Sequence, residues 1–504
     1  MKLNKLTYIL CGATLMTWGC SQEIFEPTPT SNPEPGDTFE ASAGSADFSK
    51  FVAVGNSLTS GYQAGALFNA GQQNSLPAIL ANSFEEVGMS DDFDQPDINS
   101  ANGFNSAYSN VGAGVIAGRL YLEVTATGGT TIAALPGELP TAFTGDKAAL
   151  NNFGVPGILL GQALTPATGT PGNPIENPLY TRFASAPGSS TIIGDAAAAN
   201  GSFFLFWLGN NDVLGYATSG AIPEREAIFT NPTDFQNQYG AALTVLTANG
   251  AQGVVGNIPY VTSIPFFTTV PYNAIPFTQD DAATVAFVNS NYADYNNGLN
   301  NLAGAGFITQ AEADQRQISF AVGANAIVIE DEDLTDLSAF GLPSIRQTTA
   351  QDLVLLPTSA ILGTLADPGN PASVIGVGAP VGDGGILTAN EVATITNRVD
   401  ELNAIIPGVI ANLGLSSSVA VADVNGALNQ LTTAGGGFVD GVLIAPTFAP
   451  PAGLFSEDGV HPNTRGYAYT AQVFIDAINA KFGANLRKPK LGDYSATALP
   501  VDLQ

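Results

Sequence analysis

The hydrophobic pattern divides this chain before any single residue does. Apolar runs without alternation occur at Phe51, Val52, Ala53 and Val54, again from Phe203 to Leu208, and around Val254 and Val255, each closed by a glycine. A short continuous apolar run bounded by turn residues predicts a strand buried on both faces, the kind found in parallel sheets. Ser418 to Val424 predicts the last such strand. Helical patterns lie between them. Ser75 caps, and Pro77 starts, a helix running to about Val87. A second covers Phe235 to Ala248. Thr388 and Glu391 form a capping box that opens a third, with Val392, Ile395, Val399 and Leu402 at helical spacing. Thr464 to Phe482 predicts a closing helix. Strands alternating with helices imply an α/β fold with a parallel sheet and right-handed crossovers.

Elsewhere the pattern loosens. Residues 88–150, rich in Gly, Asn, Thr and Asp, read as loops and short strands facing a substrate. Thr165 to Pro178 reads as a loop. Residues from about 265 to 385 read as a large, irregular insertion that shapes the substrate entrance as a lid. Inside it, Glu330, Asp331, Glu332, Asp333 and Asp336 read as a solvated acidic turn, because calcium-loop spacing is absent. At the amino terminus, Lys2 and Lys5 precede the uncharged stretch Leu6 to Trp18, a signal h-region too short to span a bilayer. It ends in Gly19 and Cys20, similar to a bacterial lipoprotein signal, although Thr17 stands where such signals usually carry Leu. Residues 1–19 are thus expected to be removed, leaving Cys20 as the lipidated first residue. Pro27, Pro29, Pro33 and Pro35 make 20–48 a Pro-rich disordered tether. The folded domain is then 49–485, followed by a solvated tail, 486–504, carrying Arg487, Lys488 and Lys490.

Charge narrows the partners. Fifteen Lys and Arg against 44 Asp and Glu give a net charge of −29. Such a field repels phosphate backbones, so nucleic acid is excluded as a partner. It also disfavours acidic substrates unless the site is locally different. The cysteines are two, and Cys11 leaves with the signal. No disulfide and no thiolate metal cluster can then form.

The chemistry gathers at the ends of the predicted strands. His461 is the only histidine, and histidine is the side chain that exchanges a proton near neutral pH. It lies in Asp458-Gly459-Val460-His461-Pro462. Ser57 lies in Gly55-Asn56-Ser57-Leu58-Thr59, at the carboxyl end of a strand, where ligands bind in open α/β sheets. Two explanations compete for that serine. It caps a helix, or it is a nucleophile exposed on a strand-to-helix turn. Gly209-Asn210-Asn211-Asp212 follows the second apolar run, and Asn152-Phe153-Gly154-Val155-Pro156-Gly157 is a sharp Gly-Pro turn.

Together these four blocks, in this order, resemble the SGNH/GDSL hydrolase family of serine esterases and lipases. The resemblance spans residues 49 to about 483. It implies a three-layer αβα, flavodoxin-like fold with a central parallel sheet. It implies a Ser57, His461, Asp458 triad that cleaves carboxylic esters through an acyl-enzyme. The oxyanion would be held by the Ser57 and Gly157 N–H groups and the Asn211 amide, with no metal or cofactor. The family usually has Asp where this chain has Asn56. The expected substrates are small-molecule, glycan or lipid esters. The expected place is the bacterial cell envelope, on the outer membrane through the lipid at Cys20, or secreted. A surface-exposed binding lipoprotein that keeps this fold without turnover is the alternative.

Overall fold

Five short apolar strands set the architecture. The computed structural model describes residues 38–90, 92–125 and 128–498. The signal segment, Cys20 and the prolines of the tether lie outside the described residues. Two compact units divide the chain. One holds residues 38–213, 230–260 and 398–498; the other holds Leu214–Phe229 and Val261–Asn397.

The first unit is α/β. Its strands are β1 (Phe51–Gly55), β2 (Asn152–Gly154), β3 (Phe203–Trp207), β4 (Gln252–Gly256) and β5 (Val419–Ala422). All neighbouring pairs are parallel. In space they run β2-β1-β3-β4-β5. That order reverses direction between β1 and β3, and such a switch point opens a crevice beyond the strands' carboxyl ends.

Side-chain alternation in β3 shows how the sheet is covered. Phe203 meets Phe84 of the helix α1 (Leu76–Glu85) and Phe482 at the end of the helix α2 (Thr464–Phe482). Trp207, four residues along the same face, meets Phe474 of α2. Phe206 points the other way, onto Tyr239 in the helix Pro232–Leu246. A strand apolar on both faces is therefore sandwiched by helices on both, as the unbroken run implies.

Both termini of this unit are longer than the sequence suggests. The tether was expected to reach residue 48 and the tail to begin at 486. Instead the chain is already held before residue 49: Ser42 pairs with Asn485, and Phe48 is buried in a stack on Phe84. At the other end Leu486 and Leu491 are buried, Arg487 pairs with Glu86, and Lys488 pairs with Asp476. Aromatic and aliphatic side chains scattered among polar ones supplied enough buried surface to order both segments.

The second unit has its own core. It includes Val285, Tyr295, Leu299, Ile308, Ile327, Val328, Ile329, Val354 and Val381. A 23-residue helix, Ala282–Gly304, forms where irregular chain was expected. Its many Asn and Ala residues hide the weak apolar face. Arg346 is buried and bonded to Asp331, and it holds Asp352 with a two-pronged pair at 2.6 and 2.9 Å. Asp331 is thus no solvated acid. Burial opposes the Arg346 charge, but Asp352 and Asp331 outweigh it and hold the guanidinium protonated.

Trp207 is the one tryptophan apart from Trp18, so its fluorescence reports on the sheet. Phe203→Ala removes a ring shared by both helices of that face and is expected to lower stability by about 3–5 kcal/mol. Urea titration of Trp207 emission measures this; a loss below about 1 kcal/mol would contradict the packing.

Candidate active site

The strand β1 stops because the chain folds back on itself. A side chain at Gly55 would meet Thr59 Oγ1 at 1.9 Å and the Trp207 carbonyl at 2.9 Å. Asn56 caps the short helix Ser57–Ser60: its Oδ1 accepts the Leu58 N–H at 2.9 Å. Ser57 therefore does not cap the helix. It occupies the first helical position, is 5 % exposed, and its hydroxyl has no hydrogen-bond partner among the described residues. Of the two explanations for this serine, the capping one is removed.

The Gly-Pro turn is tied to that helix. Asn152 donates to the Thr59 carbonyl at 3.0 Å, and Val155 N–H donates to the Gly55 carbonyl at 3.0 Å. A side chain at Gly154 would strike Ser60 N at 2.5 Å, so only glycine permits this approach. Gly157 has φ +77°, a left-handed conformation that glycine accepts at no steric cost. Its N–H has no acceptor among the described residues.

The block after β3 is bound to the same turn. Asn211 donates one amide N–H to the Ile158 carbonyl at 2.9 Å, which fixes the amide beside Gly157. Asp212 is fully buried and accepts from Leu160 N–H at 3.0 Å and Thr230 Oγ1 at 2.7 Å. Burial pushes its pKa up, against those donors.

One turn organises Asp458 and His461. Gly459, at φ +73°, reverses the chain. Asp458 Oδ1 then accepts the Val460 and His461 N–H groups, both at 2.9 Å. Asp458 Oδ2 lies 2.9 Å from His461 Nδ1 and accepts the Gly65 N–H at 2.8 Å. Burial raises the Asp458 pKa, but the His461 charge and the donors from His461 and Val460 outweigh it and hold the carboxyl below its ordinary 3.8.

This turn is joined to the serine segment. Ser456 Oγ accepts the Ala64 N–H at 2.8 Å and lies 3.2 Å from Asp458 Oδ1. The Tyr62 ring packs on the imidazole, centroids 4.7 Å apart. Tyr467 OH donates to the Tyr62 carbonyl at 2.5 Å and lies 3.4 Å from the Ser57 carbonyl. Burial, then the Asp458 charge, pushes both phenols up, so they remain neutral donors.

Ser57, Gly157, Asn211, Asp458 and His461 all belong to the first unit. Hydrogen bonds tie the Gly-Pro turn to the serine helix, Asn211 to the Gly-Pro turn, and the Asp458 turn to Gly65 after that helix, but among the described residues none joins the Ser57 hydroxyl to the imidazole. No protein-family model matches the chain, and a search of curated proteins finds no match. Sequence reading missed Tyr62, Ser456 and Tyr467. Ser456, two residues before Asp458, had a local signal, since serine at that offset can bond an acid's turn; the tyrosines had none.

Acids that could hold a cation occur in the second unit. Glu332, Asp383 and Glu391 bring one carboxylate oxygen each within 4.8 Å of the others. Burial, then neighbouring acids, pushes Asp383 up to about 6 and Glu391 up to about 7. Cys20, the expected lipidation site, lies outside the described residues.

A carboxylate whose folded pKa lies below its unfolded one stabilises the fold above the unfolded value and loses that contribution as pH falls through the folded one. Asp458→Asn is thus expected to cost about 1.5–3 kcal/mol at pH 7 and progressively less below about pH 4. Urea titrations of Trp207 fluorescence at pH 7 and pH 3 compare the two; an equal cost at both would contradict the lowered pKa.

Proposed function

We propose that the first unit is a serine hydrolase of SGNH/GDSL type, cleaving carboxylic esters. The observation that carries this reading is the turn that holds Asp458 against His461 Nδ1 at 2.9 Å. That contact is what orients an imidazole as a base. In support, Ser57 is freed from capping by Asn56, and the sheet order puts its helix at the switch point between β1 and β3.

The mechanism follows from the groups present. A serine hydroxyl is a weak nucleophile and needs a base. Asp458 accepts from Nδ1–H, so Nε2 carries the lone pair. His461 Nε2 takes the Ser57 proton as Oγ attacks the ester carbonyl. The imidazolium is stabilised by Asp458. Gly157 N–H, Ser57 N–H and the second Asn211 amide N–H receive the oxyanion. His461 returns the proton to the leaving alcohol. Water, deprotonated by His461, then releases the acid and restores Ser57. Hydrogen bonds between a nucleophile and its base often tighten only in the substrate complex.

The same reading places the enzyme outside the cell, carried by a lipid on Cys20 and acting on small-molecule, glycan or lipid esters. Among the described residues no helix is long and apolar enough to cross a membrane. One observation favours the alternative, a binding lipoprotein without turnover: the missing hydrogen bond between Ser57 and His461.

A fluorophosphonate probe decides between them. Labelling at Ser57 in the intact protein, abolished in Ser57→Ala, is expected of the hydrolase. His461→Ala should lower hydrolysis of a p-nitrophenyl ester by about three orders of magnitude or more, with Trp207 fluorescence unchanged. No labelling and no turnover in the wild type would leave the binder.

A further inference from the structure

Arg119 is an arginine whose guanidinium has no hydrogen-bond acceptor among the described residues. It lies on a hairpin formed by Ala117–Val124 and Thr130–Pro136. Its backbone N–H donates to the Asn102 carbonyl at 2.7 Å. The next residue, Leu120, donates to the Ala64 carbonyl at 2.8 Å. Ala64 and Gly65 are the residues whose N–H groups reach Ser456 and Asp458. The hairpin is therefore docked on the segment that braces the acid of the site, and Arg119 sits one residue from the docking point.

The side chain is held but not satisfied. Its guanidinium carbon lies 5.1 Å from the centre of the Phe68 ring. Nε is buried without an acceptor. Among the described residues the guanidinium makes no hydrogen bond and no ion pair. Other part-buried or buried arginines differ: Arg182, Arg316, Arg346 and Arg465 each donate to carbonyl or carboxylate oxygens. Arg225 and Lys490 lack partners too, but both are exposed, where water serves.

Glu457 does not fill the gap. It is buried beside Asp458 in the chain, and it forms no ion pair with Arg119. Burial, then Asp458, pushes its pKa up to about 7 against the Arg119 charge. Asp458 itself is committed to His461 and Gly65. The two Nη groups, which have no acceptor among the described residues, suit a carboxylate, which a guanidinium can grip with two bonds. In a chain of net charge −29 it is also the local exception that an anionic substrate needs.

Resting on the hydrolase reading, we propose that Arg119 selects an ester bearing an anionic group, a carboxylate on its acyl or its alcohol part. The test uses two matched pairs. Mono-4-nitrophenyl glutarate against 4-nitrophenyl valerate varies the acyl side; acetylated glucuronic acid against acetylated glucose varies the alcohol side. The wild type should prefer the anionic member of at least one pair. Arg119→Met, which keeps the stem on Phe68, should lose about 10- to 100-fold in kcat/KM on that member and change the neutral one by less than about threefold. Arg119→Lys should recover part of the loss. No preference in either pair, or an equal fall on both members in Arg119→Met with Ser57 still labelled by the fluorophosphonate, would overturn the assignment. Absence of labelling in the wild type would instead overturn the hydrolase reading.

Discussion

The Asp458 carboxylate is the group on which the rest of the site depends. A buried charge is costly unless donors surround it. Here they come from two distant parts of the chain. Val460, His461 and Ser456 supply one side, and Gly65 supplies the other. Satisfying that charge forces the loop before α2 to close on the segment after the serine helix. The same oxygen that takes Gly65 N–H takes His461 Nδ1, so the electrostatics that fold the loop also orient the imidazole. Removing the acid would therefore loosen a long-range contact and a ring orientation together.

Two further braces carry that order across the sheet. Tyr467, from the first turn of α2, reaches the Tyr62 carbonyl. Asn211 and Asp212, beyond β3, grip Ile158 and Leu160 beyond β2. Each brace is a buried side chain satisfying a backbone group that has left regular structure. Loops at strand ends need such partners, because their N–H and C=O groups have no ladder to join. Rigidity at the strand ends is in this sense a by-product of hydrogen-bond satisfaction.

Much of the scaffold was legible in the chain. The run Phe203 to Leu208 named the central strand because only a two-sided core tolerates unbroken apolarity. Ser75, with Pro77, and Thr464 to Phe482 marked helices whose ends carry strong local signals. The Thr388 and Glu391 capping box is present, with Glu391 accepting the Thr388 N–H at 2.7 Å. The offset of three residues between Asp458 and His461 made a single turn plausible, and one turn holds them. What could not be read was whatever depends on distant partners. Phe48 and Leu491 sit in polar surroundings in the sequence and gain their burial from α1, α2 and the sheet. The helix Ala282–Gly304 has too weak an apolar face to announce itself. Asp331 looked solvated among its acidic neighbours until Arg346 closed on it.

Unpaired buried groups give the last connection between stability and chemistry. The buried polar atoms without partners include Asn56 Nδ2, Thr59 Oγ1, both amide atoms of Asn210, and Arg119 Nε. Each such atom costs about 1–3 kcal/mol. Gln238 and Tyr239 add two more beneath the helix on the opposite face, but the rest lie in the turns bearing Ser57 and Asn211 or on the docked hairpin. An Asp at position 56 would replace an idle amide by a second carboxylate oxygen, buried beyond the reach of water and costlier still to leave unpaired. Asn56 keeps the cap through Oδ1 without that charge. Asn at this position thus keeps the turn capped and leaves only a neutral amide nitrogen idle.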